Sequence, residues 1–352
     1  LKWFWGNSSR TILMLTRFTS DYNFIADPRT GITMRWGTTL NDDPIWAPVP
    51  ELADISISNH CTKGCSFCYR DSTVNHEFMS VDDYCFVLDA MYHKDLGGVF
   101  QVALGGGEPL EHPDFLRIID ETIKRNIVPN FTTNGLHLSQ DICAAIRGKV
   151  GAVALSISSI NELMRDHIDM LVGNGIRTNI HYVLSQENID EAIEILSGRY
   201  NVLFQGINAI IFLTYKPAGR ADKSFILQKS NTLLHFLKLI NDDKLYHPKV
   251  GFDACFVPML MHYTDIRKDL IDTCEGGFFS VYIDHKMNVS PCSFSGTRDC
   301  YSLRDYSFYD IWENIFDDFR NRHLNKCSSN CAERKNCRGC CPYYPEITVC
   351  YE

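Results

Sequence analysis

Three cysteines crowd one short segment of this 352-residue chain, Cys61-Thr62-Lys63-Gly64-Cys65-Ser66-Phe67-Cys68. Thiolates at that spacing are ligands for a soft metal or a cluster. Three of them satisfy three irons of a 4Fe-4S cluster and leave the fourth iron open to an outside chelate. Structural zinc normally takes four protein ligands, and no fourth Cys or suitably spaced His follows nearby, which leaves zinc as the plainer alternative. His60, beside the first cysteine, reads as a surface histidine.

A second concentration lies far downstream. Ten of the fifteen cysteines fall from Cys255 onward, and six of these sit between Cys327 and Cys350. An odd count in a long chain with no export signal argues for metal rather than disulfides, because a reducing compartment keeps thiols free. Cys85 and Cys143 stand apart inside helical patterns and read as core packing.

The elements that must position these groups follow from periodicity. Strand-like runs ADISIS at 53, VFQVAL at 99, IVPNFTT at 127, AVALSIS at 152, IRTNIHYVL at 176 and INAIIFL at 207 alternate with amphipathic helical windows. This is the pattern of successive βα units around a parallel sheet. Ser80 and Asp83 form a cap for one window, and Pro113 sits early in another that runs through Phe115, Ile118, Ile119 and Ile123. The chain is thus expected to be α/β, a partial (β/α)6 TIM-like barrel over 51–224, since a full eight-unit barrel takes about 250 residues. The cysteine loop follows the first barrel strand, at the end where barrel active sites form. Residues 1–50 read as an N-terminal β-hairpin extension turning at Asp27-Pro28-Arg29-Thr30-Gly31, and 225–270 as a helical linker. Residues 271–352 read as a cysteine-rich module held by clusters rather than by an apolar core, with one amphipathic helix around Tyr306 to Arg322. Opening at Leu1 rather than Met, the chain is expected to lack a few native residues at its start.

Composition narrows the partners. A net charge of −9, with basic residues scattered rather than striped, is wrong for a nucleic-acid groove. No apolar run approaches a membrane span and no signal peptide opens the chain, so a cytoplasmic protein is expected.

The C-x3-C-x2-C spacing, with Phe67 before the last cysteine, resembles the radical S-adenosylmethionine (radical SAM) superfamily. Gly105-Gly106-Gly107-Glu108-Pro109, after the second strand, resembles the GGEP segment that receives the methionine amine of the cofactor. There glycines permit close backbone approach, and Glu108 offers a carboxylate to an ammonium group. Thr132-Thr133-Asn134-Gly135 after the third strand is similar to a TTNG segment, and Ser156 and Ser158 at the end of the fourth are similar to ribose-contacting positions. The resemblance implies that Cys61, Cys65 and Cys68 hold the cluster and that Phe67, Gly106, Gly107, Glu108, Asn134, Ser156 and Ser158 bind S-adenosylmethionine. It also implies reductive cleavage of that cofactor to a 5′-deoxyadenosyl radical, and a reducing partner such as ferredoxin or flavodoxin.

Cys274, Cys292, the run Cys327-x3-Cys331-x5-Cys337-x3-Cys341, and Cys350 resemble the SPASM-type extension of radical SAM enzymes, which holds one or two auxiliary 4Fe-4S clusters. By that analogy Cys274, Cys292 and Cys341 serve the first, and Cys327, Cys331, Cys337 and Cys350 the second, with Cys340 a possible substitute for Cys341. Cys255 and Cys300 are candidates for the missing ligand of the first, Cys255 preferred; an iron left open to substrate is the other arrangement. A zinc ribbon is the alternative for the whole region. Met287 stands where the pattern has Gly. Ser293 stands where sulfatase maturases carry a basic Asp, and a serine cannot remove a proton at neutral pH, which disfavours sulfatase maturation.

The resemblance points to a maturase of a ribosomally made peptide, acting by epimerisation, thioether formation or carbon–carbon crosslinking. A radical SAM enzyme of a small-molecule cofactor precursor is the second reading, and a non-enzymatic iron-sulfur or zinc protein the third. The catalytic residue is open; Cys255 or Cys300, if not a ligand, would be a hydrogen-atom donor. Asp310, Glu313, Asp317 and Asp318 read as a solvated helix face.

Overall fold

The computed structural model describes residues 14–241, 248–268, 271–324, 331, 333 and 337–350. β1 (Leu15–Phe18), β2 (Asn23–Asp27) and β3 (Ile32–Trp36) form an antiparallel sheet. The expected turn joins β2 to β3, closed by the Gly31 N–H on the Asp27 carbonyl at 2.8 Å, with Gly31 in the left-handed region at φ 77°. The hairpin therefore gains a third strand that the sequence reading did not include.

All the expected barrel strands form. They are β4 (Leu52–Ser58), β5 (Gln101–Gly106), β6 (Val128–Thr133), β7 (Val153–Ile157), β8 (Thr178–Leu184) and β9 (Ala209–Thr214). Between them lie α1 (Val81–Ala90), α2 (Phe115–Lys124), α3 (Gln140–Ile146), α4 (Arg165–Gly173) and α5 (Ile189–Leu196). Ser80 caps α1 as its spacing predicts, its Oγ accepting the Asp83 N–H at 3.0 Å. Strand alternation sorts the two faces. Ala53, Ile55 and Ile57 of β4 and Ile180, Tyr182 and Leu184 of β8 join the helices in the main core, whereas Asp54, Ser56, Asn179 and His181 turn to the other side of the sheet. The barrel interior is accordingly polar.

Four strands extend this sheet beyond the expected six, one at one edge and three at the other. α6 (Asn231–Leu239) leads to β10 (Lys249–Phe252), which pairs in parallel with β9, so the segment read as a helical linker contributes a strand before α7 (Val257–Tyr263). At the other edge β11 (Ser280–Ile283) pairs in parallel with β4, followed antiparallel by β12 (Asn288–Ser290) and β13 (Tyr301–Ser302). Here the expectation of a C-terminal module without an apolar core is corrected. Val281, Ile283, Val289, Phe308, Ile311, Trp312 and Phe316 are all buried in the same core as the barrel. The expected terminal helix is present as a π-helical segment, Asp310–Ile315, running into α8 (Phe316–Leu324), and its four acidic residues are exposed as read.

Candidate active site and cysteine centres

β4 delivers the first cysteine loop. The loop is anchored by the Cys61 N–H on the Thr73 carbonyl (3.2 Å) and the Cys68 N–H on the Cys65 carbonyl (3.3 Å), and Gly64 takes a φ of 65° that other residues resist. Two sulfurs receive donors: the Ser72 N–H lies 3.4 Å from Cys68 Sγ and the Asn134 amide 3.8 Å from Cys61 Sγ. Burial pushes the Cys61 and Cys65 thiols up, so a bound metal must displace protons. Among the described residues, no three Cys, His, Asp or Glu side chains converge closely enough to enclose a single metal ion. The donor set, thiolates with amide N–H groups on their sulfurs, fits the cluster.

The glycine segment packs directly against the end of β4. A Cβ on Gly106 would meet Ser56 Oγ and the Ser58 carbonyl at 2.1 Å, and one on Gly107 the His60 carbonyl at 1.9 Å. The close approach these glycines permit is therefore to the strand end that leads into Cys61. Glu108 is buried and accepts from Thr133 Oγ1 (2.6 Å), the Asn134 N–H (2.7 Å) and the Leu110 N–H (3.1 Å). Burial raises its pKa while these donors pull it down. Two acceptor positions of its carboxylate hold the Asn134 turn and a third caps its own helical turn at Leu110, which leaves about one for an ammonium group.

Ser158 is held by Glu162, which accepts from the Ser158 N–H at 2.9 Å and hydroxyl at 2.5 Å, and pairs with Lys63 of the cysteine loop at 2.5 Å. Although burial pushes Glu162 up, Lys63 and Ser158 keep it below the ordinary range. Phe67 and Ser158 meet in one cavity of about 520 Å3, with Ser185, Asn188, Tyr215 and Arg220 also on its wall. Gly106, Gly107, Glu108, Asn134 and Ser156 do not line that cavity. Ser156 lies beside His181 in strand register. His181 Nδ1 is 3.3 Å from Thr132 Oγ1, and burial, against a weaker pull from Asp253, holds its pKa down at about 4.

The loop ending the barrel carries residues the sequence reading passed over. Gly219, at φ 62°, would place a Cβ 2.4 Å from the Cys68 carbonyl, and Arg220 donates to the Cys65 carbonyl at 3.1 and 3.0 Å. Three residues earlier Lys216 pairs with Asp253 at 2.7 Å. Although burial alone would lower its pKa, Asp253 and Cys255 raise it and keep it charged.

Lys216 lines a second pocket, and so do Cys255, Cys274, Cys292 and Cys341. Cys255 comes from the turn after β10, Cys274 from the approach to β11, Cys292 from just beyond β12 and Cys341 from the C-terminal segment. Cys255 and Cys341 are hydrogen-bonded, which lowers the Cys341 thiol and raises that of Cys255; burial pushes Cys292 up to about 12. Four thiols around one pocket suit a fully ligated cluster. Cys300 lines neither cavity; its neighbours are Ser290, Asp284 and Arg70. Cys331, Cys337, Cys340 and Cys350 are not in disulfides, and Cys327 lies outside the described residues. Met287 adopts φ 64°, the left-handed conformation for which Gly is the usual choice. His60 is corrected from surface to site: its imidazole packs on Phe78 with centroids 4.9 Å apart and pairs with Glu111 at 3.2 Å. Cys143 is buried as expected, and no described helix is long and apolar enough to cross a membrane.

A sequence model of the radical SAM superfamily matches residues 55–216, the stretch from β4 to Lys216. Among curated proteins, the PqqA peptide cyclase of Gluconobacter oxydans is 22% identical over 69% of this chain and 68% of its own length. The AdoMet-dependent heme synthase of Methanosarcina barkeri is 23% identical over 83% of this chain and 91% of its own. The alignment with the peptide cyclase thus spans about two thirds of that protein. SuiB of Streptococcus suis, solved with S-adenosylmethionine, superposes with a TM-score of 0.70 over 95% of both chains at 15% identity, which establishes a shared fold. SuiB has also been solved bound to the precursor peptide SuiA.

Proposed function

From the premise that this chain is a radical SAM enzyme, we propose that it is a maturase of a ribosomally synthesised peptide. The observation that carries the proposal is a four-cysteine pocket, built against the barrel beside the matched radical SAM region and separate from the first group of three cysteines. The relatives agree: one is named for cyclising a peptide, and the superposable SuiB binds a precursor peptide.

In this reading Cys61, Cys65 and Cys68 would hold a 4Fe-4S cluster, with S-adenosylmethionine bound beside it. When bound, the pair would supply a 5′-deoxyadenosyl radical able to take a hydrogen atom from substrate, the cluster's electron being spent in breaking the sulfonium carbon–sulfur bond with release of methionine. The protein's part is positioning. Asn134 steadies Cys61, Glu108 holds the Asn134 turn, and the Lys63–Glu162–Ser158 chain ties the cysteine loop to the cavity wall. Substrate is assigned to the cavity of about 520 Å3, large enough for one or two side chains of a peptide.

Cys274, Cys292 and Cys341, from the region spanning 271–352, are assigned to the first auxiliary cluster together with Cys255 from the segment before it. A fully ligated cluster there suits electron exchange better than substrate ligation. Cys327, Cys331, Cys337 and Cys350 are assigned to a second cluster, and a ferredoxin or flavodoxin to the supply of electrons. With Cys255 a ligand, Cys300 remains the candidate hydrogen donor. The alignment with a heme synthase over most of both chains favours, as the second reading, a small-molecule precursor.

The test is anaerobically reconstituted enzyme with S-adenosylmethionine and dithionite, with and without small peptides encoded beside its gene. 5′-Deoxyadenosine and peptide mass are measured together. Nucleoside release with a changed peptide mass is the expected result. Nucleoside release with every candidate peptide unchanged, and turnover of a porphyrin precursor instead, would replace the peptide reading.

A further inference from the structure

We infer that Glu111 is a positioning residue of the cofactor site, clamping the first cysteine loop to the turn that carries Asn134. Glu111 ends the short helical turn Pro109–Glu111 directly after the glycine segment, and its side chain is only 5% exposed. Four groups from two other segments converge on its carboxylate. From the cysteine loop come the Thr62 N–H at 3.2 Å, the Thr62 hydroxyl at 2.5 Å and His60 Nε2 at 3.2 Å. From the other side comes His137 Nε2 at 3.0 Å.

A carboxylate offers about four acceptor directions, so this one is saturated. Its partners bracket a single contact. Thr62 follows Cys61, and His137 lies three residues beyond Asn134, whose amide reaches Cys61 Sγ. Glu111 therefore fixes both chain segments that meet at the first cysteine sulfur, while Glu108 fixes the Asn134 turn from within. The turn itself requires no acid at this position. A carboxylate kept nearly dry between two histidines and a threonine serves to join loops, as outer-shell partners of metal ligands do.

The inference rests on the reading that Cys61, Cys65 and Cys68 hold the cluster that binds S-adenosylmethionine. Its test uses the full chain, reconstituted anaerobically, as wild type, Glu111→Gln, Glu111→Ala and Glu111→Asp. Four quantities are measured: iron per chain, the dissociation constant of S-adenosylmethionine by equilibrium dialysis, the EPR spectrum of the reduced cluster with and without it, and KM and kcat for 5′-deoxyadenosine release. In Glu111→Ala, the dissociation constant and KM for S-adenosylmethionine are expected to rise by about ten- to a hundredfold. The EPR change on binding should shrink, and kcat at saturation should fall less than KM rises. Glu111→Gln keeps one acceptor oxygen and should fall between, and Glu111→Asp should recover part of the loss.

Glu111→Ala binding S-adenosylmethionine within about twofold of wild type, with the same EPR change, would overturn the clamp. So would an iron-free Glu111→Ala accompanied by a Glu111→Gln indistinguishable from wild type in affinity and spectrum. A wild type that holds iron at Cys61, Cys65 and Cys68 yet binds no S-adenosylmethionine would overturn the cofactor reading beneath it.

Discussion

At the scale of single residues, buried groups are held in one charge state by what surrounds them. His181 is the clearest case, because its imidazole faces the polar barrel interior and burial keeps its pKa near 4. The unfolded chain would bind a proton there below about pH 6.5. Stability from the neutral imidazole is thus present above that pH and lost as pH falls toward 4, by up to about 3 kcal/mol. His181→Gln is expected to flatten the slope, losing about 2 kcal/mol less than wild type between pH 7.5 and 5 in urea unfolding; equal slopes would show that His181 titrates normally. The cysteine assignment has its own test. Cys255→Ser should lower iron by about four atoms per chain, whereas Cys300→Ser should leave it unchanged, and the reverse pattern would exchange their roles. Both were readable in advance as candidates, because thiols and spacing announce themselves. Glu111, Glu162 and Lys216 were not, since an acid or a lysine in a loop is ordinary until its partners are known.

At the scale of elements, the cysteine loop is a strand end held from three sides: by the glycine segment of β5, by the Asn134 turn after β6, and by the loop after β9. The third contact is the most testable. Ala at position 219 would have to hold φ 62°, at a cost of about 1–2 kcal/mol, and its methyl would stand 2.4 Å from the Cys68 carbonyl. Gly219→Ala should therefore lose iron from the first cysteine group and slow 5′-deoxyadenosine release, while circular dichroism shows an intact α/β fold. Full iron content with normal release would mean that the loop has room to shift. Periodicity placed the six central strands correctly because each is a run of alternating or apolar β-formers between clear turns. It missed β10 and β11, which are four residues each and lie in segments whose neighbouring helix or cysteines dominate the pattern.

At the scale of the whole molecule, the N-terminal sheet, barrel and C-terminal segment share buried surface. Phe24 of β2, Phe100 before β5, and Phe278 and Phe319 beyond the barrel form one cluster. Buried Arg17 donates to the Val49 and Gly98 carbonyls at 2.7 and 2.6 Å, and Trp312 Nε1 to the Ala47 carbonyl at 2.8 Å. Arg35 ties Glu51 to Glu275 at 3.1 and 2.8 Å. Because β11 completes the sheet beside β4, truncation after residue 270 would bare the edge of the strand that carries the cysteine loop. The truncated chain is expected to aggregate or melt well below the full chain; a soluble monomer with the full chain's melting temperature would mean that the barrel stands alone. The sequence by itself determined the α/β class, the first cysteine group and the radical SAM resemblance, because ligand chemistry and strand periodicity are local. Only the tertiary structure decided that Cys255 joins Cys274, Cys292 and Cys341, that Glu111 bridges two loops, and that the C-terminal segment shares the barrel's sheet and core. Those contacts join residues far apart in the chain, and no local pattern records which distant partner a buried thiol, carboxylate or strand edge will meet.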